Sequence, residues 1–317
     1  MRSIKQRVPL TRAMAPSCLG PSALAEALLA AWADETAPRL ILEGPSCSVE
    51  TLDDVFAVHD AMIASPRAAQ LGGLRGYKLG WKRHPLLLEH GMAAIYAPIF
   101  GKCVLESGPV APTVSLSQHG IYCAEAEYGF HIGGGLPPSP SRGYTPAEVL
   151  AAVTRVDLCL ELCGTRLALA APPIATASPY LLLADAMCNA LVVCGPSVTA
   201  LAAHQLTTAK VSIEADGHLI SSGDGRENPE DSPVCSLVWF VNDLTHRRRR
   251  PLPTGALIIA GHTCQAVFNG RPAPESAALL PQLTCSEARS QPSATPVATR
   301  LTARFEGLGT VEASIIP

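Results

Sequence analysis

The stretch that decides the architecture is IYCAEAEYGFHI, residues 121–132. Successive side chains of a strand point to opposite faces. Glu125 and Glu127 therefore share one face, about 7 Å apart at the standard rise per residue. Ala124, Ala126, Tyr128 and Phe130 take the other face. Two neighbouring carboxylates repel each other, and a partly buried pair must take up a proton or gain a cation. An ExE pair also suits the solvated face of a strand. The segment VDLCLELC at 156–163 has the same texture: Val156, Leu158, Leu160 and Leu162 on one face, Asp157, Cys159, Glu161 and Cys163 on the other. Glu161 is embedded among apolar neighbours, which is unusual for an exposed glutamate. If the two strands lie close, Glu125, Glu127 and Glu161 converge. Three carboxylates that leave coordination positions open suit Mg2+ or Mn2+ rather than zinc.

Outward from this pair, the chain from Gly72 onward reads as short strands separated by Gly and Pro: RGYKLGW at 75–81, YAPIFGKCVL at 96–105, ALVVCG at 190–195, AKVSIEADG at 209–217, GALIIAG at 255–261 and TARFEGLGTVEASI at 302–315. Helices are expected at SALAEALLAAWAD (22–34) and at about 52–64, the latter with Thr51 as N-cap and Asp54 three positions on. A third opens with Thr145 as N-cap, Pro146 in the first turn and Glu148 closing a capping box. SPVCSLVWFVNDLTH, around 233–245, reads as a fourth. The expected fold class is strand-rich α+β. Residues 1–20 form a basic terminus, 21–70 a small helical N-terminal cap, and 71–317 the main unit, interrupted by a Pro-, Ala- and Ser-rich insertion at 272–297.

Composition narrows the class. A chain of 317 residues with 48% hydrophobic and 16% charged residues can build a sizeable core. A formal charge of −3 argues against nucleic acid as the main partner. The one basic run, His246 to Arg250, reads as an exposed loop. Eleven cysteines without a CxxC pair favour neither a zinc motif nor a disulfide framework, and point to a reducing compartment. No window approaches the roughly 18 consecutive apolar residues of a membrane-spanning helix. Arg2, Lys5, Arg7 and Arg12 precede the first acid, Glu26. The expected location is cytoplasmic, with a mitochondrial or other organelle matrix as the alternative if those basic residues are a transit segment.

An ordered set of motifs carries a resemblance. GYKLGW at 76–81, AEAEYGF at 124–130, TPAEVL at 145–150, LELCGTRL at 160–167, LADAMCNALVVCG at 183–195, SLVWFVNDL at 236–244, PTGALIIAGHT at 253–263 and the closing FEGLGTVEASI occur in one order. Across roughly residues 50–317 this resembles the 2-keto-4-pentenoate hydratase and 4-oxalocrotonate decarboxylase group of the fumarylacetoacetate hydrolase superfamily. The resemblance implies a mixed β roll, a homo-oligomer, and a Mg2+ or Mn2+ site at Glu125, Glu127 and Glu161. It further implies catalytic roles for Lys78 and Asp185 and a structural Arg166; substrate contacts are expected at Gly80, His262 and Thr263, the last two in a Gly-His-Thr turn where many relatives carry a Gly/Ser-rich loop. The implied reaction is a hydratase-type lyase acting on a small 2-oxo acid, such as a 2-oxo-4-enoate, through an enolate. A 4-oxalocrotonate-type decarboxylase, an acylpyruvate C–C hydrolase and a non-catalytic oligomeric partner subunit are the alternatives. The chain departs from the group in having Gly101-Lys102-Cys103 after YAPIF, where relatives often carry an acid, and Ala186 after Asp185, where they carry Asn.

Overall fold

The computed structural model describes residues 19–33, 49–139, 141–167, 178–198, 203–267 and 298–316. The basic terminus up to residue 18, the connection at 45–48 and the insertion at 272–297 lie outside the described residues. The first elements are α1 (Pro21–Ala33), α2 (Leu52–Ala64), α3 (Pro66–Gln70), β1 (Leu74–Gly80), α4 (Pro85–Leu88), β2 (Ile95–Phe100), β3 (Val104–Glu106), β4 (Thr113–Ser115) and α5 (Leu116–His119). Next come β5 (Ile121–Ile132), α6 (Pro146–Ala152), β6 (Val153–Gly164), α7 (Pro179–Ala184), β7 (Asn189–Val198), α8 (Ala203–Thr208), β8 (Lys210–Ala215) and β9 (His218–Asp224). The chain closes with α9 (Pro233–Asn242), β10 (Leu257–Ile259), β11 (Cys264–Val267), β12 (Thr299–Phe305) and β13 (Gly309–Ile316).

The long strands β5 and β6 sit at the centre of an eight-stranded sheet in the order β2-β1-β10-β5-β6-β7-β3, with β11 also paired to β5. A five-stranded sheet, β4-β13-β12-β8-β9, packs against it. Tyr128 of β5 meets Phe305 of β12 with ring centroids 5.2 Å apart, one of the contacts that joins the two sheets. Leu24, Leu28, Val55, Val58 and Met62 of the N-terminal helices enter the same buried cluster as the strands. The strand-rich α+β class expected from the sequence is the one observed.

Local chemistry explains the main joints. Thr51 and Thr145 each form a reciprocal capping box, with Asp54 and Glu148 respectively. Such a box satisfies two of the orphan N–H groups at a helix start. In β1, Gly76 lies opposite Leu257 of β10. A Cβ at Gly76 would stand 1.7 Å from the Leu257 carbonyl oxygen, so only glycine permits this pairing. That pairing sets the register of β1 and hence the position of Lys78.

The basic run is exposed, as its charge suggests, at Arg247, Arg249 and Arg250, but it begins in helical structure and not in a loop. Helix α9 continues into a π turn over Asp243–Arg247, and Arg247, Arg248 and Arg250 pair with Asp243 or Asp60 while Arg249 donates to the Ser139 carbonyl. Arg248 donates to Asp243 Oδ2 at 2.7 Å and lies over the Phe56 ring, while Arg250 pairs with Asp60 on α2. His246 Nδ1 bonds the Ser139 carbonyl at 2.7 Å. The run ties the helical layer to the sheet, an outcome that sequence charge alone does not encode.

His59 makes a second tie. Its Nε2 donates to the Leu183 carbonyl at 2.9 Å, joining α2 to α7. Burial lowers its pKa from the usual 6.5 to about 4. The folded protein therefore holds the neutral ring, and the unfolded chain takes up the proton first. The associated stability is complete above pH 6.5 and is lost as pH falls towards about 4, by at most about 3 kcal/mol. His59→Gln keeps an N–H donor and does not titrate. Urea unfolding should show the wild type losing stability more steeply than His59→Gln between those pH values. Parallel curves would contradict the assignment.

Candidate metal centre

The antiparallel pairing of β5 and β6 places Glu125 directly opposite Glu161, with Glu127 in the next row on the same face. Ligand oxygens of the three lie within 4.8 Å of one another. Glu127 and Glu161 are wholly buried, and the Glu125 side chain keeps 12% exposure. Lys78 arrives from β1, with Nζ 2.6 Å from Glu161 Oε1 and donating to the Met187 carbonyl at 3.1 Å. Asn189 Nδ2 donates to the same Glu161 oxygen at 2.8 Å, and Gln265 Nε2 donates to Glu125 Oε1.

Both oxygens of Glu127 and Oε2 of Glu161 are buried without a hydrogen-bond partner. Buried acceptors left in this state are costly. Burial, then the charges of Glu161 and Glu125, push the Glu127 carboxyl well above the usual carboxylate range. Burial alone would lower the Lys78 pKa, but Glu161 leads a set of negative charges that carries it well above its ordinary value. Lys78 is thus an ammonium at neutral pH. Three carboxylates against one ammonium leave an excess of two negative charges when all are ionised. A divalent cation of the hard, oxygen-preferring kind fits that donor set and that charge. Glu125, Glu127 and Glu161 would hold it.

The site opens onto a cavity of about 420 Å3 lined by Lys78, Trp81, Tyr122, Glu125, Cys163 and His262, among others. Gly80 is also on its wall. Thr263 and Asp185 are not, and their bonding shows why. Thr263 is fully buried, and both its N–H and its Oγ1 donate to the Ala126 carbonyl, at 2.8 and 2.7 Å. It pins β5 between Glu125 and Glu127 instead of facing a ligand. Asp185 is fully buried and occupied: Arg166 Nε donates to Oδ1 at 2.6 Å, while Thr165 Oγ1 and the Arg166 N–H donate to Oδ2 at 2.7 and 2.9 Å. Asp185, for which a catalytic role was expected, is thus placed in a buried ion pair with Arg166 and off the cavity wall.

Arg166 does more than neutralise Asp185. It also donates to the Asp185 carbonyl at 2.6 Å and to the Asn189 carbonyl, and its guanidinium lies over the Trp32 ring, 4.0 Å from the centroid. These contacts bracket Ala186, Met187 and Cys188, three consecutive left-handed residues with φ of 45°, 53° and 59°. Such a conformation costs about 1–2 kcal/mol per residue for non-glycine residues. The bracketed turn presents the Met187 carbonyl to Lys78 and delivers Asn189 to Glu161. Sequence reasoning missed Asn189, the Met187 carbonyl and Gln265. No propensity signals a left-handed run, and β11, which carries Gln265 opposite Glu125, is only a four-residue strand, Cys264–Val267.

No protein-family model matches the chain, and no curated protein does. Solved structures do. The 4-oxalocrotonate decarboxylase from Pseudomonas putida G7, complexed with magnesium and adipate, superposes with a TM-score of 0.66 over 93% of this chain and 97% of that one, at 21% identity. The same enzyme complexed with calcium and acetate gives 0.61 over 84% and 86%, also at 21% identity. The fumarylpyruvate hydrolase from Pseudomonas aeruginosa, in complex with Mn2+ and pyruvate, gives 0.47 over 76% and 89%, at 17% identity. The chain therefore has the fold of 4-oxalocrotonate decarboxylase, the fold implied by its ordered motifs.

Asp185→Asn tests the structural assignment. Weakening the buried counter-charge of Arg166 should destabilise the protein by roughly 3–5 kcal/mol at the upper end, read by denaturant unfolding. An unchanged unfolding midpoint would show that the carboxylate is not a structural counter-charge.

Proposed function

We propose that this chain is a divalent-cation-dependent lyase that acts on a small 2-oxo acid through its enolate. The observation that carries the reading is the convergence of three carboxylates, two of them wholly buried, beside the single ammonium of Lys78 at the edge of a cavity. A bound Mg2+ or Mn2+ supplies Lewis-acid polarisation to a chelating carboxylate and keto oxygen. Everything else falls to the chain. Lys78 places a fixed ammonium where negative charge develops on the substrate oxygen, and a preorganised charge in a dry site favours the transition state over the ground state. Trp81 and Tyr122 shape the wall. His262, whose Nδ1 is 4.0 Å from Glu125 Oε1 and whose side chain keeps 32% exposure, relays a proton between the cavity and solvent.

Hydration of a conjugated 2-oxo-4-enoate uses this arrangement to hold the enol form while water adds to the double bond. Decarboxylation of a 2-oxo acid uses it to accept the electron pair left by departing CO2. The first is the reading carried from the sequence motifs; the fold match to a decarboxylase supports the second. Assembly as a homo-oligomer belongs to the same proposal.

The test combines binding with turnover. Calorimetry should show Mn2+ or Mg2+ binding that oxalate, a planar mimic of the enolate, strengthens. Loss of conjugated absorbance without CO2 identifies hydration, and CO2 release identifies decarboxylation. Lys78→Met should retain cation binding, since the site becomes more negative, yet lose about 100- to 1000-fold in kcat. A wild type that turns over no 2-oxo acid, or a Lys78→Met variant with full activity, would overturn the proposal.

A further inference from the structure

The pocket face of β5 and β6 holds two thiols that the carboxylate centre does not use. Cys123 and Cys163 are direct register partners, one row beyond the Glu125–Glu161 pair. Cys123 is fully buried, whereas Cys163 lines the cavity. A sulfur from each and an oxygen of Glu125 all lie within 4.8 Å of one another. Glu125 thus stands between two donor sets: Glu127 and Glu161 on one side, Cys123 and Cys163 on the other. Two central strands hold both sets, so their spacing is fixed by backbone pairing and not by a loop.

We infer that Cys123, Cys163 and Glu125 form a second cation site, one that takes a thiophilic divalent ion such as Zn2+ or Cd2+ and competes with the carboxylate centre for Glu125. The donor chemistry separates the two sites. Thiolates select soft or borderline ions, and carboxylates select hard ones. Zinc bonds sulfur at about 2.3 Å and carboxylate oxygen at about 2.1 Å, so the three side chains enclose such an ion after an inward adjustment of under about an ångström. Two sulfurs and one oxygen leave an open position, and it faces the cavity through which the ion enters. On binding, two S–H protons pass to solvent and two sulfur–metal bonds form, with no change of oxidation state. Gln265 already engages Glu125 Oε1, which leaves the other oxygen to serve one ion at a time.

The site itself stands on this geometry alone; only the competition rests on the proposed carboxylate centre. The test is titration of the full-length, reduced protein with Cd2+, read by the ultraviolet sulfur-to-cadmium charge-transfer band. The expected result is a band that saturates at one ion per chain and raises the apparent Kd for Mn2+. Cys163→Ser, at the cavity wall, and the Cys123→Ser/Cys163→Ser pair should lose the band and free Mn2+ binding from cadmium. Glu127→Gln should lose Mn2+ binding and keep the band. A band that persists in the double variant arises from another cysteine and overturns the site, as does a wild type with no band. If the band appears and wild-type Mn2+ binding does not, the thiolate site stands and the carboxylate reading fails.

Discussion

Three carboxylates are enclosed between two central strands with one ammonium for company, and the surrounding structure depends on that imbalance. Charge of this density cannot remain in a dry interior without compensation. Glu161 receives Lys78 and Asn189 on one oxygen, and Glu125 receives Gln265. Glu127 receives nothing, and neither does the second oxygen of Glu161. A fold stabilised for its own sake would fill those positions with apolar side chains. Here the unpaired acceptors lie together behind Glu125, which lines the cavity, the arrangement expected of a site that completes itself by binding.

The remainder of the structure holds the imbalance in place. Gly76 lets β1 approach β10 closely enough to set Lys78 across from Glu161. Thr263 pins the β5 backbone between Glu125 and Glu127. Arg166 brackets the left-handed turn at Ala186–Cys188, so that a strained segment presents a carbonyl to Lys78 and an amide to Glu161. Trp32, beneath the Arg166 guanidinium, links this bracket to the N-terminal helices. The helices thereby contribute to the geometry of the site without touching it.

Much of this was legible in the sequence, for specific reasons. Period-two alternation placed Glu125 and Glu127 on one face and set Glu161 apart from its leucine neighbours, and strand pairing brings the three together. Capping boxes at Thr51 and Thr145 were readable because they are local. Asp185 and Thr263 illustrate the limit: a motif shows that a polar residue is present but not where its bonds point, and both bond inward to the frame. The sequence showed the charge of the arginines at 247–250 but not their partners, since Asp243 and Asp60 are brought near Arg247, Arg248 and Arg250 by a π turn and by tertiary packing. Asn189 and Gln265 carried no signal, since one follows a left-handed turn and the other sits on a strand too short to show alternation. The cysteine pair was equally silent. Its members belong to different strands, and only their register unites them.

The most direct test of the central claim compares thermal unfolding of the wild type and Glu127→Leu, each stripped of metal by chelation and then titrated with Mn2+. Removing a buried, unpartnered carboxylate relieves repulsion, so metal-free Glu127→Leu should be at least as stable as the metal-free wild type. Mn2+ should raise the wild-type Tm with concentration, as any ligand of the native state does, and leave the variant unmoved. A destabilised metal-free variant, or a wild-type Tm indifferent to Mn2+, would show that Glu127 serves the fold and not a cation, and would contradict the account.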